Sequence, residues 1–136
     1  MGIINWLMHR NMRSEAEALV KWATDAYRSI LAAHPELSER DVLGSMLDQR
    51  WRLPDGNKAR DTVLDRYGSS IHGLCYFLGL NAQNMKGMMV SRCVQFTEYI
   101  DRELQKRGFA KPPDDVKRRY FTTLGLPEDA VTENYL

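Results

Sequence analysis

Apolar side chains recur every three or four residues along most of this chain, and the pattern is clearest between residues 16 and 31. In that stretch the charged residues Glu17, Lys21 and Arg28 lie mostly off the apolar stripe. Such a spacing describes one face of an α-helix, which becomes stable when it is buried against another element. No stretch alternates apolar and polar residues between hairpin turns, as a half-buried strand would. The sequence therefore predicts an all-α protein.

Short breaks containing proline or glycine divide the chain into five or six such segments. The breaks are His34-Pro35, Pro54-Asp55-Gly56, Gly79-Leu80-Asn81, Gly108 through Pro113 and Gly125-Leu126-Pro127. Loops this short place neighbouring helices antiparallel in one bundle. The chain has 136 residues, of which 43% are hydrophobic, so it can bury a core without disulfides. We predict a compact bundle of five to six helices that forms a single domain over residues 1–136.

The start of the first helix has two interpretations. Ser14 has a side chain suited to an N-cap, and acidic residues follow it in the first turn, where they favour the positive end of the helix dipole. The apolar stripe also continues backwards through Met12, Met8 and Ile4. On the second interpretation, residues 1–12 are an earlier part of the same helix or a short separate one. They would then be an extension that docks on the bundle or on a partner.

Other residues predict where the later helices begin and end. Ser38 is placed to cap the second helix. The run Gly68-Ser69-Ser70 predicts a break or kink, with Ser69 acting as a cap. The next long helix is predicted to begin near Asn81. It should end at Gly108, because glycine readily adopts the left-handed conformation that closes many helices.

The charge balance of the chain argues against a protein whose main task is to grip nucleic acid. There are 19 basic and 18 acidic residues, for a net charge of +1, whereas phosphate binding needs a surplus of positive charge. One segment does resemble a helix-turn-helix unit, although Asp61 and Asp65 are interleaved with its basic residues. A nucleic-acid-binding regulator is therefore an alternative, and it would use Arg50, Arg52, Arg60 and Arg66.

One short segment combines residues that could carry chemistry. His72 and Cys75 are three residues apart, so on a helix they share a face, and Tyr76 follows directly. A small-molecule binder or enzyme with a pocket near residues 68–73 is a second alternative, using these three side chains. Adding Cys93 gives three soft ligands, but the paired ligand spacing of zinc sites is missing. We predict neither a metal nor a cofactor, and no catalytic residue.

The cysteine content and the hydropathy pattern indicate a compartment. Only two cysteines occur in a chain that is large enough to fold without disulfides, which fits reducing conditions. No apolar run is long enough to span a bilayer, and the apolar part of residues 1–13 is too short for a secretory signal. The sequence therefore predicts a cytoplasmic protein without a membrane role.

Three apolar features indicate association with another macromolecule. Trp6 belongs to an apolar group at the N-terminus, and Trp22 lies off the main stripe of the first helix beside small residues. Met85, Met88 and Met89 form a flexible apolar cluster of the kind that also lines adaptable binding grooves. We predict a protein–protein interaction module, such as an adaptor, an inhibitor or a regulatory subunit. A helix-mediated homodimer is one form that this association could take.

Overall fold

The computed structural model describes residues 2–50, 57–67, 70–81, 90–111 and 114–123. In chain order its helices are α1 (Gly2–Ala33), α2 (Glu39–Arg50), α3 (Asn57–Tyr67), α4 (Ile71–Tyr76), α5 (Val90–Lys106) and α6 (Asp114–Thr123). A π-helical turn, Phe77–Asn81, continues α4 directly. None of the residues in these ranges forms a strand, which confirms the prediction of an all-α bundle with five to six helices.

The first helix is longer than a cap at Ser14 would allow. α1 spans 32 residues, or about 48 Å at the usual rise per residue. Ser14 lies inside it, so the prediction of an N-cap there is wrong. The alternative, that the preceding residues belong to the same helix, is confirmed from Gly2 onwards. The physical reason is that Met12 and Ala16 continue one apolar stripe across Ser14, and both are buried.

The buried face of α1 packs chiefly against α5 and then against α2. Its most buried apolar members are Ala16, Val20 and Ala23, whose small side chains allow close packing. Thr24 is buried on the same face, and its hydroxyl donates a hydrogen bond to the carbonyl of Val20 at 2.9 Å. Within residues 11–33 of α1, the one buried polar side chain is thus satisfied within its own helix.

One of the predicted helix starts needs correction. Ser38 does cap α2, because its Oγ accepts a hydrogen bond from the Asp41 amide at 3.2 Å. The cap of α4 is Ser70 rather than Ser69, since Ser70 Oγ accepts from the Gly73 amide three residues on at 3.2 Å. Asn81 ends the π-helical turn, and the predicted start of the next helix near Asn81 falls on residues 82–89, which lie outside the described part of the structure.

The C-terminus of α5 confirms the prediction for Gly108. The residue has a φ of 95°, in the left-handed region that favours glycine. The amide of Phe109 donates to the Leu104 carbonyl at 2.9 Å, and the amide of Gly108 donates to the Gln105 carbonyl at 3.1 Å. These two bonds define a Schellman motif, which satisfies carbonyls that the end of the helix would otherwise leave open.

Buried side chains from all six helices form one hydrophobic core, and α4 lies at its centre. All six residues of α4 are buried, and the helix contacts α1, α2, α3, α5 and α6. Within the described ranges, no helix is both long enough and apolar enough to cross a membrane. Since α4 is enclosed on every side, its polar side chains must find partners inside the protein.

Candidate functional site

The most unusual feature of the core is a chain of polar and charged side chains that joins α4, α5 and α6. The Tyr76 hydroxyl donates a hydrogen bond to Asp101. The Lys117 ammonium lies 2.7 Å from Asp101 Oδ2 and 2.6 Å from Glu98 Oε1. We call Tyr76, Glu98, Asp101 and Lys117 the buried charge cluster. The Lys117 and Asp101 side chains are only 14% and 15% exposed, so this ion pair is mostly withdrawn from water.

The side chain of His72 lies beside this cluster, on the same helix as Tyr76. It is 7% exposed. The backbone of Ala110 hydrogen-bonds the ring, but Nε2 has no hydrogen-bond partner among the described residues and is buried from water. A buried polar atom without a partner costs roughly 1–3 kcal/mol, so such atoms are rare in folded proteins. His72 is therefore a buried polar side chain that lacks one of its hydrogen bonds in this packing.

Burial dominates the protonation of the two α4 side chains. It lowers the pKa of His72, with Asp101 partly opposing the effect, so the imidazole favours its neutral form. Burial and the neighbouring Asp101 carboxylate hold the pKa of Tyr76 well above its usual range. The Tyr76 hydroxyl therefore stays protonated and can donate to Asp101.

The two partners on α5 and α6 are shifted by competing effects. Burial raises the pKa of Asp101, and the Lys117 ammonium acts in the opposite direction. Burial lowers the pKa of Lys117, but Asp101 and Glu98 together outweigh it and raise the pKa. The cluster thus joins the carboxyl groups of Glu98 and Asp101 to one ammonium group, that of Lys117.

The structure brings two of the three residues of the predicted pocket into this region and makes the third inert. His72 and Tyr76 adjoin Asp101, as described above. Cys75 is fully buried, and burial raises the pKa of its thiol to about 12, so it is a poor nucleophile at neutral pH. Among the described residues, no group of three or more His, Cys, Asp or Glu side chains could hold a metal ion.

The predicted partner-binding residue Trp22 lies at the surface between α1 and α2. It is partly buried against the core, and the guanidinium carbon of Arg50 lies 4.8 Å from its ring centroid. This distance is typical of a cation–π contact. Trp6 lies on α1, but its side chain is outside the described part of the structure, as are Met85, Met88 and Met89.

The predicted nucleic-acid-binding arginines are dispersed among acidic partners. Arg60 forms an ion pair with Asp48 at 2.9 Å, and Arg50 stacks on Trp22. Arg66 is exposed near the end of α3, and Arg52 lies outside the described residues. Two further acids of this region, Asp61 and Asp65, pair with Arg40 of α2. The nucleic-acid function stays a prediction, and it would require a surplus of positive charge on this face.

Sequence reasoning missed Glu98, Asp101 and Lys117. The two acids stand beside the apolar stripe of α5, where a charged residue usually faces solvent. Lys117 begins the basic run 117–119, which has the composition of a solvated helix face. No local signal separates these residues from exposed ones, because the partners of Lys117 lie 16 and 19 residues away.

Comparison with known proteins adds no further constraint on the site. No protein-family model, curated protein or solved structure matches the chain. The candidate site is therefore defined by two features of the fold. One is the buried charge cluster with His72 beside it, and the other is the stacked pair of Trp22 and Arg50 at the surface.

Proposed function

We propose that the protein is an interaction module that binds another protein through the surface of Ala18, Trp22, Ala26 and Arg50, named here the Trp22–Arg50 surface. The observation that carries the proposal is the stack of the Arg50 guanidinium on the Trp22 ring. Tryptophan and arginine are the residue types most enriched at the energetic centres of protein interfaces. The module would act as an adaptor, an inhibitor or a regulatory subunit, without catalytic chemistry of its own.

The shape of this surface favours a flat protein face as the partner. Ala18 and Ala26 lie one helical turn before and after Trp22 on α1, and Ala18 is exposed. These small side chains leave the indole ring as the main projection. The opposite face of α1 is packed in the core, so the ring is held on a rigid support. A preorganised anchor loses less entropy on binding than a mobile side chain does.

The charge of this surface favours a partner that presents a carboxylate. Arg50 is exposed and forms no ion pair within the part of the chain that the structure describes, whereas Arg60 pairs with Asp48. A guanidinium that stacks on an aromatic ring still has its N–H donors at the edge. A partner with an aspartate or glutamate in an apolar patch would place the carboxylate on Arg50 and the apolar atoms on Trp22.

The interaction is assigned to the cytoplasm. Cys75 and Cys93 are buried and are not joined in a disulfide, which supports a reducing compartment, in which disulfides are rare.

Site-specific photo-crosslinking in living cells tests the proposal. A photoreactive amino acid at position 18 should form an adduct with another protein. The same group at position 17, which is exposed but rotated by about 100° around the helix, should not. An adduct of twice the chain's own mass would instead identify a second copy as the occupant. Equal adducts from both positions would contradict the proposed surface.

Binding measurements on the purified pair provide the matched control. Arg50→Ala should raise the Kd at least tenfold, which corresponds to a loss of about 1.4 kcal/mol in binding free energy. Arg66→Ala removes another exposed arginine with the same change in net charge, and should leave the Kd within about twofold. Equal losses for the two variants would mean that general electrostatic attraction, rather than the Trp22–Arg50 surface, drives binding.

A further inference from the structure

The unpartnered Nε2 of His72 has a consequence for the packing of α6. We propose that His72 is a pH-dependent switch, and that uptake of a proton at Nε2 releases α6 from α4 and α5. The chemical species that the site takes up is a proton. The effect would be a reversible change in the packing of the bundle at mildly acidic pH, independent of the Trp22–Arg50 surface.

The charges that act on His72 come from α5 and α6. They are the Asp101 carboxylate, which attracts a proton to the ring, and the Lys117 ammonium, which repels it. Glu98 lies one contact further away, on the other side of Lys117. From α2, Arg50 acts on the neighbouring Cys75. Among the described side chains of α1, α3 and the π-helical turn, none carries a charge that shifts the pKa of His72.

Protonation creates a donor that the closed packing cannot satisfy. Nε2 is buried from water and has no acceptor among the described residues, so an N–H formed there would be unpaired in the core. The new positive charge would also act against Lys117 and compete with it for Asp101. An imidazolium at His72 can therefore gain hydrogen bonds only if this part of the bundle opens.

The helix α6 is the element that would be released, because polar contacts tie it to the site. Lys117 makes two ion pairs with α5, and the ring of Tyr120 lies 5.6 Å from that of Tyr76. Both contacts depend on side chains next to His72. Among the described residues, the contact between α1 and α5 is made mostly by buried apolar side chains, so the rest of the bundle should stay folded.

Amide hydrogen exchange in the full chain tests whether protonation of His72 releases α6. Protection factors for α6 amides, corrected for intrinsic exchange, should fall up to tenfold per pH unit below about pH 6.5, as expected for one linked proton. His72→Gln removes the titration and should make these protection factors independent of pH between 7.5 and 5.5. His34→Gln is the matched control, since His34 is 61% exposed and pairs with Glu36 at the surface. It should follow the wild-type curve.

Two outcomes would overturn the proposal. One is a His72→Gln protein whose α6 protection falls with pH as in the wild type. The other is read from the wild type alone, in case the variant fails to fold. In that measurement, NMR of the His72 ring would show proton uptake at about pH 6.5, the ordinary value for an imidazole, while the α6 protection factors stay constant.

Discussion

At the scale of single residues, Lys117 is the side chain on which the buried charge cluster depends most. It contacts both Glu98 and Asp101, and no other ammonium or guanidinium group in the described ranges pairs with either acid. Removing one partner of a buried ion pair leaves the other charge desolvated without compensation, which costs more than the pair itself contributes. The stability of α6 should therefore depend on this one cation.

Lys117→Met should destabilise the protein by roughly 3 kcal/mol, because it leaves two carboxylates unpaired in a mostly buried site. The measurement is the midpoint of urea unfolding, followed by circular dichroism. Lys106→Met is the matched control, since Lys106 is 71% exposed and pairs with Glu103 on the same helix. It should cost no more than about 0.5 kcal/mol. An equal loss of stability in the two variants would show that water solvates the buried charge cluster.

At the scale of elements, the π-helical turn sets how closely the chain after α4 approaches α5. Gly79 lies in that turn, and a Cβ atom built there would stand 2.6 Å from Cε1 of the Phe96 ring. Phe96 is fully buried, so its ring has little room to move. The absence of a side chain at position 79 is thus a packing requirement. It helps to hold α4, with His72 and Tyr76, against the acids of α5.

Gly79→Ala should destabilise the protein by about 1–3 kcal/mol, the usual cost of overpacking a core. Thermal unfolding measures it. Gly44→Ala is the control, because the added Cβ would meet the flexible Arg60 side chain at 3.1 Å. That replacement also gains helix propensity and should be neutral or slightly stabilising. In a double-mutant cycle, Phe96→Leu should offset part of the Gly79→Ala cost, and strict additivity would contradict the proposed clash.

At the scale of the whole molecule, stability at high pH should reflect the same cluster. The folded protein holds the pKa of Tyr76 well above 10 and raises the pKa of Lys117 above 10.5. In the unfolded chain these groups lose their protons at the ordinary values, so the folded state binds more protons above pH 10. The contribution of Tyr76 and Lys117 to the free energy of unfolding is therefore complete below about pH 10 and is lost as the pH rises further.

Tyr76→Phe should reduce this alkaline loss. At neutral pH the variant lacks the hydrogen bond to Asp101 and should be about 1–2 kcal/mol less stable than the wild type. Above pH 10 its free energy of unfolding should fall less steeply, so the two curves converge. Urea unfolding at several pH values between 7 and 11 measures both effects. Parallel curves over that range would mean that Tyr76 titrates normally in the folded protein.

The class of the fold and two helix ends follow from local sequence patterns alone. The apolar spacing of α1, the Ser38 cap and the left-handed Gly108 are local properties, since each depends on residues within about one turn of one another. The local pattern allowed two starts for α1, because Ser14 is a residue type that caps helices but lies within a continuous apolar stripe.

The residues of the candidate sites come together only through the packing of the helices. Tyr76 and Asp101 are 25 residues apart, and Lys117 is 16 residues beyond Asp101, so nothing in their local patterns joins them. Trp22 and Arg50 likewise meet only because α1 packs against α2. A charged residue next to an apolar stripe has the same sequence pattern whether it faces water or a partner. Its environment depends on how the helices pack, which local spacing does not specify.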